Sequence, residues 1–472
     1  MSISAEAIKA LVGELEAQVT ESTIVTPESP EYGQSIKRWA ASAERKAAIC
    51  VMAKSAEDIS KALLLAQKYK IDIAVRGGGH FPSGNNSSEG GLVIDLSKMR
   101  EVTVDVENKT AKCQGGCLWE DVDITLAKYG LAAVGGTVNT TGVAGLTLGG
   151  GYGWLSGQYG LTIDNLLSVK VVLADGRIVV ASETENQDLF WALRGAGHNF
   201  GVAVDFTYRA HDLDHEVYAG ALVFGAEKLE QIVNFLNTLG QDSDGKAGAM
   251  LAVDRPIGEP SADLAIIVFY DGPEDVGKQK FSPLLDLETR ANTVTMRPYT
   301  EVNTLLNDTG AGGGRYSFHG ASFSLPLDPA FAQKTFDELA PILDKNPELS
   351  GTGFLWEFHN SKKIHGVARD SMAFANRGQH QNVTLVIRHN NPARYEEFRE
   401  EGRRIQKIIR DNLVTKKGYG ENDVNIYGNY VDDPRPNEVF GTNLEKLQKL
   451  KGIYDPGNIF NKMHPISPVL EN

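Results

Sequence analysis

The stretch Arg76-Gly77-Gly78-Gly79-His80-Phe81-Pro82-Ser83-Gly84 follows directly on the apolar alternation of residues 71–75. Three adjacent glycines let consecutive backbone N–H groups converge on an anion, since no side chain blocks the approach, and a phosphate or pyrophosphate fits there. A bare β-turn would use the same glycines. A second run, Gly135-Gly-Thr-Val-Asn-Thr-Thr-Gly142-Val-Ala-Gly145-Leu-Thr-Leu-Gly149-Gly-Gly-Tyr-Gly153, lies in a region where eleven of residues 130–160 are glycine, out of 49 in the chain. Two such loops, both flanked by β-type sequence, suit opposite ends of one long, flat, diphosphate-containing ligand. FAD has that shape.

Around these loops, Ser55 and Asp58 form a capping box that opens a helix to about residue 69, and a strand at 71–75 then leads into the first glycines. Short strands are expected at 92–96, 101–106 and 109–113, and a helix at 118–129. Residues 166–173 and 177–181 read as a hairpin across Ala174-Asp175-Gly176, followed by a short helix at 188–194 and a strand at 201–209. Beyond His211 the pattern changes. Long strands at 218–224, 264–270 and 383–389 alternate with amphipathic helices at 227–239, 329–343 and 392–413, an antiparallel sheet with helices on one face. Residues 425–472 read as a strand and a helix that pack back on the first module.

The chain has 472 residues, 42% apolar and 23% charged, which is ordinary for a globular protein. Its 47 basic and 61 acidic residues leave a formal charge of −14, so nucleic acid is not an expected partner. No stretch approaches the ~18 apolar residues that cross a bilayer, and residues 1–18 alternate apolar with acidic positions, so no membrane is expected and the cytoplasm is the expected compartment. Cys50, Cys113 and Cys117 are too few for a disulfide framework, and Cys113-Gln-Gly-Gly-Cys117 lacks the second ligand pair of a zinc site, so no metal is expected. Two familiar phosphate motifs fail. Gly195-Ala-Gly197-His-Asn-Phe-Gly201 follows a helix and precedes a strand, the reverse of the dinucleotide fingerprint, and Gly277-Lys278 is followed by Gln279 where a Walker loop needs Ser or Thr.

Five motifs then occur in a telling order: Arg76-Gly-Gly-Gly-His80, Gly149-Gly-Gly-Tyr-Gly153, Tyr159-Gly-Leu-Thr-Ile-Asp164-Asn165, Asp188-Leu-Phe-Trp-Ala-Leu-Arg194-Gly and Asn199-Phe-Gly-Val202. The chain in this respect resembles flavoproteins of the vanillyl-alcohol oxidase/p-cresol methylhydroxylase type. Tyr454-Asp-Pro-Gly-Asn458-Ile-Phe460 and the pair Asn429-Tyr430 resemble the berberine-bridge-enzyme-like branch more narrowly. The resemblance implies an α+β, two-domain FAD-binding fold. Residues 1–210 would form an FAD-binding domain of two α+β subdomains, completed by 426–472, and 211–425 a substrate domain of antiparallel sheet plus helices.

The resemblance also implies a covalent bond from His80 to a flavin methyl group, with a neutral imidazole as a sensible nucleophile. It places further cofactor contacts on Arg76, Gly77, Gly78, Gly79, Phe81, Ser83 and Gly84, on Gly136, Thr137, Thr141, Gly142, Gly145 and Leu146, and on Gly150, Gly151, Gly153, Gly201, Val202 and Tyr430. Many relatives carry a second tether, a cysteine at the position that Val138 occupies here, so a single bond is expected, as in the 6-hydroxy-D-nicotine oxidase-like members. The expected activity is that of an oxidase: hydride transfer from a small alcohol, amine or activated C–H substrate to flavin, with O2 as acceptor and hydrogen peroxide as product. The small Thr141 leaves room for oxygen. Tyr430 is the expected base, with Arg377 or Arg388 needed to lower its pKa from about 10. Glu357 and His359, on one side of a period-two strand, are second-line candidates. Phe318, His319, Trp356, Phe358 and His359 suggest an aromatic lining, and core packing explains the same residues about as well. A dehydrogenase with another acceptor, or a non-redox cyclase or ligand-binding use of the pocket, remain the alternatives.

Overall fold

The computed structural model describes residues 4–240, 244–254, 263–307, 312–416, 419 and 425–470. Ser55 Oγ accepts from the Asp58 N–H and caps helix Ala56–Lys68. Its buried Ile59, Ala62, Leu63 and Ala66 fall three and four apart and press onto a four-stranded sheet. That sheet is ordered Thr23–Val25, Ile49–Met52, Leu92–Asp95, Ile73–Arg76, with its last three strands parallel. Parallel strands need a crossover, which Ala56–Lys68 supplies. The first glycine loop therefore leaves the carboxyl end of a parallel strand, where ligands bind in open α/β sheets.

A second, antiparallel sheet of five strands runs Val102–Asp105, Thr110–Gln114, Val202–Arg209, Leu166–Val172, Ile178–Ser182. Its core holds Trp119, Phe190, Phe206 and Tyr208. Met372, Ala373 and Phe374 pack into the same core, as do Tyr427, Phe440 and Leu447 from the tail. Among the described tail residues the structure has helices, including Leu444–Tyr454, and a lone bridge from Val431 to His319 in place of the expected strand.

The third sheet has eight strands, all antiparallel. Ala247–Asp254, Gly353–His359 and Gln381–His389 lie side by side in it, and Arg315–Phe323 follows as the edge strand beyond Gln381–His389. Helix Tyr395–Val414 buries Phe398, Ile405, Ile409 and Leu413 along one stripe against this sheet, beside Leu229–Leu239 and Pro329–Lys345. Along Gln381–His389 the residues Val383, Leu385 and Ile387 face these helices, so Asn382, Thr384, Val386 and Arg388 point the other way, toward the glycine loops. No helix among the described residues is long and apolar enough to cross a membrane.

Candidate functional site

The two glycine loops meet backbone to backbone. A Cβ at Gly78 would lie 2.6 Å from Gly142 Cα, and one at Gly142 would lie 2.4 Å from Gly78 N. Only glycine allows that approach. Gly79, at φ +69°, then turns the chain into His80. Beside this junction runs a cavity of about 1670 Å³, counting its open mouth. The first loop lines it with Gly77, Gly78, Gly79, His80 and Phe81, and the second with Thr137, Val138, Thr141, Gly142, Gly145 and Leu146. Gly201, Tyr430 and the tail residues Asn461 and Met463 complete that wall.

Other residues expected at the cofactor stand one layer back. Arg76 pairs with the buried Asp95 at 2.6 Å, holding the strand end that launches the loop. Gly84 packs against Arg45, Gly136 against Leu146 and Trp119, Gly150 against Phe374 and Gly151 against Thr162. Gly153 abuts the Gly135 carbonyl, and Val202 pairs with Val172 inside a sheet. Ser83 Oγ is buried without a partner. These glycines allow close packing behind the cavity instead of forming its surface.

His80 is half-buried, and its Nε2 is fully buried with no hydrogen-bond partner. The Trp39 ring stacks on the imidazole at 4.3 Å and 14°. Burial pulls the imidazole pKa down to about 4, so the ring is neutral at neutral pH with a free lone pair. The tail is clamped from beneath. Lys451, fully buried, donates to Asp455 at 2.6 Å and to the carbonyls of Asn199 and Phe460 at 2.7 Å, so each ammonium hydrogen has an acceptor. Asp455 in turn accepts the N–H groups of Ile459 and Phe460. This is the physical content of the Tyr454-to-Phe460 motif: it fixes the segment that brings Asn461 and Met463 to the cavity.

Tyr430 sits where the third sheet faces the loops, its Cβ over Gly320. Its hydroxyl donates to Glu357 Oε1 at 2.5 Å. Burial raises the Glu357 carboxyl to about 7, against the lowering effect of that hydrogen bond, and burial with the neighbouring carboxylate raises the Tyr430 phenol well above its usual value. The expected cation is absent from this pair. Arg377 is buried against Asp164 at 2.6 Å, and the Arg388 guanidinium lies over the Tyr316 ring. A carboxylate, not an arginine, is the partner of Tyr430. Trp356 and Phe358 also differ from expectation: both belong to the helix-facing core, as their period-two neighbours Leu355 and Glu357 require. His319 points the same way, against Gly402 of a covering helix. Phe318 does line the cavity, and His359 lies 5.8 Å from the Tyr152 ring. Asn429 was missed as a wall: its side chain fills the space a Cβ at Gly149 would need and donates to the Leu146 carbonyl at 3.0 Å.

FAD fits these residues: a backbone cradle that no side chain could share, a neutral histidine with a free ring nitrogen, and a cavity that joins both loops to the third sheet. Comparison with known proteins agrees. Residues 47–182 match the family described as FAD binding domain, and residues 419–467 the one described as berberine and berberine like. FAD-linked oxidoreductase pgmH of Aspergillus terreus is 35% identical over 459 residues, covering 93% of this chain and 92% of its own. The crystal structure of 6-hydroxy-D-nicotine oxidase from Arthrobacter nicotinovorans aligns with a TM-score of 0.80 at 24% identity, over 95% of this chain and 98% of that one. Xylooligosaccharide oxidase from Myceliophthora thermophila C1 gives 0.80 at 22% identity, over 98% and 100%. At that identity the two structures share the fold.

Proposed function

This chain belongs to the berberine-like FAD-linked oxidoreductases, and on that premise we propose that it is an oxidase of a small organic substrate with its flavin bonded to His80 alone. When bound, FAD would accept a hydride from the substrate carbon, and O2 would take up the electrons to leave hydrogen peroxide. Residues 1–210 and 426–472 would hold the cofactor, with 211–425 supplying the substrate side. His80 is suited to the bond because its ring is neutral, stacked on Trp39, and free at Nε2. Val138 brings no sulfur to the cavity, which supports a single tether.

The proton is handled by Tyr430 and Glu357. As the hydride leaves carbon, the substrate hydroxyl or amine gives its proton to the Tyr430 oxygen, while the phenol proton moves to Glu357 Oε1. The phenol alone is a poor base, but the relay ends on a carboxylate with a pKa near 7, matched to neutral operation. The 2.5 Å Tyr430–Glu357 hydrogen bond beside the cavity carries this reading. Anaerobic mixing with candidate alcohols and amines, then aeration, tests it. The reading expects loss of the yellow absorbance, its return in air and one peroxide per turnover. Return only with a quinone or dye would make the protein a dehydrogenase, and a colour that no substrate bleaches would remove the redox role.

A further inference from the structure

Behind His80 a file of rings leads back into the third sheet. The imidazole lines the cavity, whereas Trp39 and Tyr316 do not reach it. Trp39 lies against the imidazole at 4.3 Å and 14°, and Tyr316 lies against Trp39 at 4.2 Å and 31°. Arg388 closes the file, its guanidinium 5.8 Å from the centre of the Tyr316 ring. Trp39 comes from the chain between Thr23–Val25 and Ile49–Met52, while Tyr316 and Arg388 belong to the third sheet. Backbone bonds hold the file from both sides. The Gly79 carbonyl accepts the Trp39 N–H at 3.1 Å, and the Trp39 carbonyl accepts the Gly313 N–H at 2.7 Å. The Gly314 carbonyl accepts the Ala41 N–H at 2.8 Å. Ser42 Oγ stands 3.1 Å from the carbonyls of both Pro82 and Tyr316 and accepts the Tyr316 N–H at 3.2 Å. Residues 39–42 thus bracket the loop that carries His80 to the edge strand Arg315–Phe323.

The imidazole needs such a support. The torsion that turns a histidine ring is broad and roughly two-fold, and no hydrogen bond at Nε2 fixes the plane. Bond formation asks for reacting atoms about 3–3.5 Å apart with orbitals aligned, and a misplacement of about 1 Å costs about 10²-fold in rate. A ring nitrogen's lone pair lies in the ring plane. An indole laid flat on the face therefore fixes that plane and leaves the reacting edge open to the cavity.

We infer that Trp39 and Tyr316 are positioning residues for the bond between His80 and flavin, holding the imidazole plane from the edge strand of the third sheet. The inference rests on the His80 tether proposed above. In that bond an imidazole nitrogen joins the flavin methyl carbon, which gives up one C–H bond, and the other ring nitrogen gives up its proton. The electron pair of the C–H bond and both protons pass through the flavin ring to O2, which leaves as hydrogen peroxide. The test supplies FAD in air to the full-length apoprotein, made under riboflavin limitation, and follows flavin retained on gel filtration and flavin retained after acid. Trp39→Leu should keep its FAD on gel filtration but form the acid-stable bond about 10²-fold more slowly than wild type. Tyr316→Leu, which leaves the indole without its backing ring, should slow it about tenfold. Trp39→Phe, which keeps a ring behind the imidazole, should restore most of the rate. Bond formation at the wild-type rate in Trp39→Leu, or a loss of gel-filtered FAD in both leucine variants that matches the loss of acid-stable FAD, overturns the inference. A wild type that forms no acid-stable flavin would instead overturn the His80 tether itself, and this inference with it.

Discussion

Replacing Glu357 by glutamine keeps an acceptor for the Tyr430 hydroxyl but removes the group that takes the proton. General-base catalysis is worth about 10²–10⁴-fold, so flavin reduction should slow by at least about 10²-fold. The pH dependence follows from burial, which raises the carboxyl to about 7. Below that pH Glu357 is protonated and cannot accept, so the wild-type rate should fall about tenfold per unit on the acid side and level off above about 7. The variant should show no such limb. The same shift sets stability. A carboxyl raised from 4.5 to about 7 stabilises the fold fully below its unfolded pKa, and loses that stabilisation as pH rises through the folded one. A shift of this size corresponds to about 3 kcal/mol, so Glu357→Gln should gain up to that much over wild type above pH 7 and little below 4.5. Stopped-flow bleaching and denaturant melts across the pH range read both effects. A wild-type rate flat through neutrality, or a variant that keeps the acid limb, would refute the assignment of Glu357 as proton acceptor.

Gly78→Ala places a methyl group 2.6 Å from Gly142 Cα, so flavin content should drop sharply and thermal stability fall by about 1–3 kcal/mol. Gly13→Ala, in a helix with nothing within 4 Å, serves as the control and should gain up to about 1 kcal/mol. Lys451→Met strands Asp455 as a buried, unpaired carboxylate, and denaturant unfolding should show a loss of about 3–5 kcal/mol.

The glycine loops were legible because their composition is a direct steric consequence of the fold: Gly78 and Gly142 touch, and no other residue can stand there. The helix after Ser55 was legible from its cap and its apolar spacing. Facing was harder to read. Period-two alternation at residues 353–359 separates Trp356 and Phe358 from Leu355 and Glu357, yet which set meets the helices depends on elements far along the chain. Strands Ala247–Asp254 and Arg315–Phe323 were not anticipated for a related reason, since both of their faces are covered and polar–apolar contrast is weak. Arg377 looked available as a cation because its partner, Asp164, lies 213 positions away in sequence. Asn429 stood beside Tyr430 in a recognised pair, but its packing against Gly149 is a tertiary fact.

The most direct test of the account is where the colour goes when the purified protein is precipitated with acid. With flavin bonded to the imidazole of His80, the yellow should stay in the pellet, give a fluorescent band on a denaturing gel, and move to the supernatant in His80→Ala. Flavin released by acid from the wild-type protein would contradict the tether, and a colourless wild type that takes up no FAD when supplied would contradict the cavity itself.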